Sequence, residues 1–250
     1  MLLPIGDENR GRHSAPVIVY IIVGINVGVF LMQWVLGDEF TLAYAAVPYE
    51  ITHNTDLVRR AVLPDEIPQY PGPWPIHLTL LTSMFMHGGF LHIASNMLYL
   101  WIFGDNIEDN FGHVKFVVFY LVCGTIAAFS QILLYPDSKV PTLGASGAIA
   151  GVLGAYLVMY PRNRVRVLTL TFIITVLELP AVLVLGIWIV LQFFNQLGAI
   201  TQHTAQTRGG GVAYMAHIGG FIAGMVLSFL FRRRRRTPFR HWDRSDRYVS

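Results

Sequence analysis

The chain has 250 residues, 54% hydrophobic and only 13% charged, with a formal net charge of +3. A soluble globular domain carries roughly 25% charged residues, so the composition argues against an ordinary soluble domain. The surplus of positive charge does not mark a nucleic-acid binder either. Its densest run, Arg232 to Arg236, directly follows an apolar stretch and has no interleaved aromatics on which bases could stack.

Residues 1–16 mix acidic and basic residues with Pro4 and Pro16, and the apolar run after them lacks a small-residue cleavage pattern. They are expected to form a short cytoplasmic segment before a retained first span, not a signal peptide. Residues 17–36 carry no charge, and twenty such residues make about 30 Å of helix, enough for one crossing. Asn26 and Gln33 in this span are expected to face other helices. Residues 37–77 are acidic and proline-rich, with Arg59, Arg60 and scattered aromatics. They read as a long loop, with a weak amphipathic piece near 55–63 and aromatics suited to the membrane interface.

A second span is expected over about 84–103, interrupted by the polar His87, His92 and Asn96, and a short acidic turn over 104–113. The third span is expected over 114–134. The fourth is expected from near Gly144 to before Pro161, short and rich in small residues. The fifth is expected over roughly 179–197, approached by an apolar stretch from Leu168. The sixth is expected over about 213–231, and the basic tail 232–250 follows it. The single Cys123 lies in an apolar run, permits no internal disulfide and reads as packing filler.

Fourteen of the 18 lysines and arginines fall on segments that share a side with both termini. This bias places both ends in the cytoplasm and fits six crossings. In that topology the second, fourth and sixth spans all run inward. His92 and Asn96, one turn apart on one helix face, then share the outer half of the membrane with Ser146 and His217.

Such a set suits acyl transfer. A serine hydroxyl is a weak nucleophile without a neighbouring base, and His217 is the only histidine of the sixth span. His92, Asn96 and the backbone N–H of Ser146 could donate to an oxyanion. No acidic residue stands plausibly beside His217, which points to a Ser–His dyad. Gly147, Gly151 and Gly154 give the fourth span a small face, and Gly220 and Gly224 form a GxxxG pair in the sixth, so the two helices could approach closely.

Plainer readings exist for each piece. A membrane-embedded serine commonly bonds its own helix, and Gly144 to Gly147 could be only a tight helix entrance. His87 reads as a donor that holds the adjacent loop, a structural role, or as an interfacial residue. A metal site through His87, His92 and His217 has no HExxH or acidic ligand pattern behind it, and neither metal nor cofactor is expected.

At these residues the chain resembles the rhomboid family of intramembrane serine proteases. The matching pieces, in order, are the His87 region with His92-x-x-x-Asn96, then Gly144-Ala145-Ser146-Gly147, then Ala216-His217-x-Gly219-Gly220 with Gly224. The resemblance covers about 17–231. It implies an all-α fold, a six-transmembrane-helix bundle with a long, partly embedded loop between helices one and two. It also implies Ser146 as nucleophile, His217 as base, and His92, Asn96 and Ser146 itself at the oxyanion hole. His87, Gly144, Gly147, Gly220 and Gly224 are implied as structural residues near the site. Glu108 matches an acidic residue that braces the first loop and the nearby turn.

The implied substrates are single-span membrane proteins, admitted past a gate near the fifth span and a cap over about 198–212. The implied location is a bacterial cytoplasmic (inner) membrane, with both termini inside and the site toward the external face. Besides substrate, membrane lipids are expected as partners, the arginine-rich tail being suited to anionic lipid, and nucleic acid is not expected. The chain departs from the family in two respects. Some bacterial members place a tyrosine one turn after the serine to pack on the histidine, where this chain has Ala150, so that Met215 or an aromatic from another span would hold the ring. The first loop also lacks an evident Trp–Arg pair. A non-catalytic relative that binds and escorts membrane proteins is the alternative, and a small transporter a more distant one because the inner half lacks a continuing polar path.

Overall fold

The computed structural model describes residues 2–8, 13–58, 67–170, 174–202 and 212–233. The expected cap over 198–212 therefore lies mostly outside the described residues, as do Arg59, Arg60 and the tail beyond residue 233.

The chain begins with strand β1 (Leu2–Asp7) and enters helix α1 (Val17–Ala43). Buried Val19, Ile22, Asn26 and Gln33 form the inward stripe of α1, while its other faces expose large apolar side chains such as Leu31, Trp34 and Val35. Asn26 and Gln33 thus face the protein, as their polarity requires. The helix runs seven residues past the expected boundary but is kinked at Gly37, whose φ of +79° only glycine adopts readily.

The stretch after α1 is partly folded. Helix α2 (Pro48–His53) starts on a proline at its first position and precedes the amphipathic piece expected near 55–63. Residues 55–58 are irregular, and 59–66 lie outside the described residues. Three short turns follow: Ile76–Leu78, α3 (Thr79–Thr82) and Ser83–Phe85.

The second expected span needs correction at both ends. Helix α4 spans Phe90–Phe111, not 84–103, and the expected turn over 104–113 shrinks to Gly112. The first shift arises because extended Gly89 separates the short turns from the helix. The second has an electrostatic cause. Asp105, Asn106 and Glu108 are buried inside the last turns of α4 instead of facing water, and Asn106 and Glu108 bond the N-terminal segment and the start of α1. Glu108 accepts the backbone N–H groups of Ile18 (2.9 Å) and Val19 (2.8 Å), two donors in the first turn of α1 that have no intrahelical partner. Asp109 likewise accepts from the Ser14 N–H and hydroxyl. Acidic residues that suggest a turn in the sequence are here caps for another helix.

Helices α5 (His113–Leu134), α6 (Ser146–Met159), α7 (Ala181–Gln202) and α8 (Tyr214–Phe231) follow the remaining expected spans closely. Helix α6 is the centre of the bundle and is buried on every side from Gly147 to Tyr156. Four helices, α1, α5, α7 and α8, are long and apolar enough to cross a membrane by length and composition. Helix α4 carries acidic residues in its last turns. Helix α6 has only 14 residues, about 21 Å of rise, which is shorter than a typical hydrocarbon core.

The apolar approach expected from Leu168 to the fifth span, with the arginine-bearing residues before it, is not irregular. Together they form an antiparallel hairpin of β2 (Arg164–Leu170) and β3 (Ile174–Pro180), with β1 completing a sheet of order β1-β2-β3. Alternation explains it: Val165, Val167 and Thr169 turn inward while Arg164 and Arg166 face outward. The sheet sits at the end of the bundle opposite Ser146. There Asp7 of β1 accepts from Tyr156 Oη of α6 (2.5 Å) and Asn106 Nδ2 of α4 (2.9 Å). The protein is a multi-pass helical membrane bundle with this small sheet at one end.

Candidate active site

Glycines bring α6 and α8 together. A Cβ built on Gly220 would fall on the carbonyl of Gly147, and one on Gly224 on the carbonyl of Gly151. A side chain at either position would force the helices apart, so the backbones touch. Cys123 packs against the other side of Gly151, a filler role that suits its burial.

This contact places Ser146, the first residue of α6, beside His217 in the first turn of α8. His217 Nε2 lies 2.8 Å from Ser146 Oγ. On the far side of the ring, Nδ1 lies 2.9 Å from Gln192 Oε1 of α7. The Trp188 ring, one turn before Gln192, packs on the imidazole with centroids 5.7 Å apart. An aromatic from another span therefore takes the place that Ala150 leaves empty. Ala150 itself is fully buried in the bundle core. Gln192 was not singled out in the sequence, although amides in an apolar span, here Gln192, Asn195 and Gln196, are the kind of signal that could have exposed it.

His92 and Asn96 come from the first two turns of α4. The Gly88 N–H donates to His92 Nδ1 (3.3 Å), which leaves the proton on Nε2. That Nε2 faces the space beside Ser146: a methyl at Gly144 would stand 2.7 Å from it and 3.7 Å from Ser146 Oγ. Gly144 is obligatory twice over, because its φ of +123° also excludes a side chain. Its N–H is fixed by the Ser83 carbonyl at 2.8 Å. Asn96 is buried, and its Nδ2 has no partner among the described residues. The preceding Ala145 supplies no side-chain cap to α6, so backbone N–H groups of its first turn remain available beside Ser146.

His87 is 2% exposed, and its ring edge meets His92 with centroids 5.1 Å apart. Gln33 of α1 grips its backbone from both sides, accepting the His87 N–H (3.0 Å) and donating to its carbonyl (2.9 Å). His87 thus fixes the chain just before α4 and stands behind His92. Glu108 lies at the other end of α4, where besides α1 it meets His113 Nδ1 at 2.5 Å across the Gly112 turn. It braces the start of α1 and this turn, not the loop over 37–77 that the resemblance implied.

A cavity of about 1250 Å³ lies in front of α6, between α4 and α7. Ser146, His217, His92 and Asn96 line one part of it, with Trp188 and Gln196 on the α7 side. At its far reach it touches Leu3 of β1. The cavity therefore runs along the bundle from the serine toward the sheet.

These features define a class: a multi-pass helical membrane protein with a hydrogen-bonded serine and histidine inside the bundle, facing a long cavity. The family model of the Rhomboid domain matches residues 76–234, more than half of the chain, and the protein belongs to this family. RHOMBOID-like protein 1 of Arabidopsis thaliana is 30% identical over 61% of this chain and 34% of its own length. Rhomboid protein 1, mitochondrial, of Saccharomyces cerevisiae is 30% identical over 60% of the chain and 40% of its own length. Rhomboid protease GluP of Bacillus subtilis is 28% identical over 61% and 26%. The matched region thus spans less than half the length of these curated relatives.

Proposed function

We propose that this protein is an intramembrane serine endopeptidase that hydrolyses peptide bonds in or near the transmembrane segments of single-span membrane proteins. The observation that carries the proposal is the 2.8 Å contact between His217 Nε2 and Ser146 Oγ. A serine hydroxyl is a weak nucleophile, and an adjacent base in hydrogen-bond reach activates it. In this reading His217 takes the serine proton as Oγ attacks the carbonyl carbon, and later returns it to the leaving amine. The His92 Nε2–H, the Asn96 amide and the Ser146 backbone N–H receive the negative charge of the tetrahedral intermediate. The unpartnered Asn96 amide supports this role, since a buried donor left unpaired costs about 1–3 kcal/mol in a resting protein and is repaid when an oxyanion forms. A water molecule then repeats the cycle on the acyl-enzyme.

In the same reading residues 17–231 form one catalytic unit of six crossings, between the short segment 1–16 and the basic tail 232–250. Helices α4 and α6 complete the count. The shortness of α6 supports a Ser146 that lies below the outer surface, where water reaches it. The bias of lysine and arginine supports cytoplasmic termini and an outward-facing site, and a bacterial cytoplasmic membrane suits this arrangement. The cavity between α4 and α7 is the place for an unwound substrate segment, with α7 as the gate.

The test uses purified protein in proteoliposomes with a single-span reporter and a fluorophosphonate probe. The parent protein is expected to cut the reporter and take the label, and Ser146→Ala and His217→Ala to do neither while still inserting. Equal cutting by Ser146→Ala would remove the assignment.

A further inference from the structure

Helix α7 contributes more to this site than a cavity wall. Its two inward groups near the site, Trp188 and Gln192, are one turn apart and both end on His217. Gln196, one turn further, is buried and donates to Tyr135 Oη at 2.6 Å, which ties the same face of α7 to the end of α5. Much of the rest of α7 is apolar and exposed, including Leu183, Ile187, Leu191 and Phe194. The polar stripe is thus built toward the histidine on an otherwise lipid-facing helix.

We infer that Gln192 is the positioning residue of the site, setting the tautomer and orientation of His217 through Oε1, so that the catalytic array is a Ser146–His217–Gln192 triad completed by α7. The inference rests on the protease reading above. The chemistry constrains the protons closely. For His217 Nε2 to accept the Ser146 proton, Nε2 must be bare and the neutral ring must carry its proton on Nδ1. A ring with the opposite tautomer would donate to Oγ and could not activate it. The Gln192 carbonyl oxygen is a pure acceptor at 2.9 Å from Nδ1 and selects the competent form.

In the first step the Oγ–C bond forms, the Oγ–H proton moves to Nε2, the carbonyl π pair moves to oxygen, and Nδ1 keeps its proton, donated to Gln192 Oε1. Amide and carboxylate orienters occur in other nucleophile–histidine sites, where losing the orienter traps the wrong tautomer. Here Trp188 and Gln192 ride on the helix that walls the cavity, so displacement of α7 withdraws ring packing and tautomer selection together.

The experiment compares parent, Gln192→Met, Gln192→Glu and Ser146→Ala in proteoliposomes. Readouts are reporter kcat and KM, fluorophosphonate labelling rate, and thermal stability. Methionine keeps the length of glutamine but removes the acceptor. Gln192→Met is expected to lower kcat and labelling roughly 10- to 100-fold, a part of the roughly 100- to 10,000-fold that general-base catalysis is worth. KM should stay within about twofold. Gln192→Glu, which restores an acceptor, is expected to recover most of the loss. A packing role alone would reverse that order, since methionine suits an apolar span better than glutamate.

Full activity in Gln192→Met, or Gln192→Glu no better than Gln192→Met, overturns the inference. So does a ¹⁵N spectrum of labelled parent protein in lipid that shows His217 protonated at Nε2 at neutral pH, a readout that needs no variant to fold. Failure of the protease reading looks different: parent and Ser146→Ala would be equally inactive toward both reporter and probe.

Discussion

Gly224 of α8 and Gly151 of α6 meet backbone to backbone, so that a Cβ on the first would fall on the carbonyl of the second. The distance between Ser146 and His217 depends on this contact, because the two residues lie one to two helical turns from it on their respective helices. Gly224→Ala should therefore separate the helices. Alanine gains about 1 kcal/mol of helix propensity over glycine. Overpacking against backbone costs about 1–3 kcal/mol or more, and the steric cost should win. The expected result is a lower thermal midpoint in detergent and loss of fluorophosphonate labelling. Gly28→Ala on α1, where a Cβ meets nothing within 4 Å, is the matched control and should be neutral or slightly stabilising.

The oxyanion assignment makes a kinetic prediction. His92→Ala and Asn96→Ala should each lower kcat on a membrane reporter roughly 100- to 1000-fold, the usual cost of removing one oxyanion donor. KM should change far less, because the donors act on charge that develops only in the transition state. Two variants that both turn over at the parent rate would show that the oxyanion lies elsewhere.

Glu108 predicts a stability effect without a catalytic one. Glu108→Ala leaves the Ile18 and Val19 N–H groups without their acceptor at a fully buried position. Hydrogen bonds to charged groups contribute about 1.5–3 kcal/mol each, so a loss of about 3 kcal/mol is expected on chemical or thermal unfolding in micelles. Glu108→Gln keeps one acceptor oxygen and should recover part of it. Cleavage by the folded fraction should be unchanged, since Glu108 lies at the opposite end of α4 from Asn96.

The attachment of β1 should depend on pH. Burial pushes the Asp7 carboxyl up to about 6 from 3.8, with the nearby Asp105 adding to the rise and the hydrogen bonds from Tyr156 and Asn106 opposing it. Between about pH 4 and 6 the folded state holds a proton that the unfolded chain has released. The contribution of Asp7 to stability therefore falls as pH rises through that window and is level above it. Unfolding midpoints measured across pH 4–8 should show this slope. Asp7→Asn, whose amide oxygen still accepts from Tyr156, should flatten it and raise the midpoint at pH 7.5. An unchanged slope in Asp7→Asn would assign the pH dependence to another group.

Sequence alone was informative wherever one local property decided the outcome. Uncharged runs located α1, α5, α7 and α8 to within a few residues, except where α1 continues to Ala43, because helical crossing is the way a long apolar segment satisfies its backbone. The glycines of α6 and α8 announced a close approach, and the rare polar residues of apolar spans, Ser146, His217, His92 and Asn96, announced a site.

Long-range contacts decided the rest. The acidic cluster at the end of α4 suggested a turn because its partners, the N-terminal segment and the first turn of α1, lie about 90 to 100 residues away in sequence. The strands β2 and β3 escaped notice because their alternation is short and their third strand is the distant N-terminus. A serine and a histidine placed in apolar helices were legible in the sequence. What holds the histidine was not: Trp188 and Gln192 reach it only because α7 packs against α8, and no local pattern encodes a hydrogen bond between residues 25 positions apart on different helices.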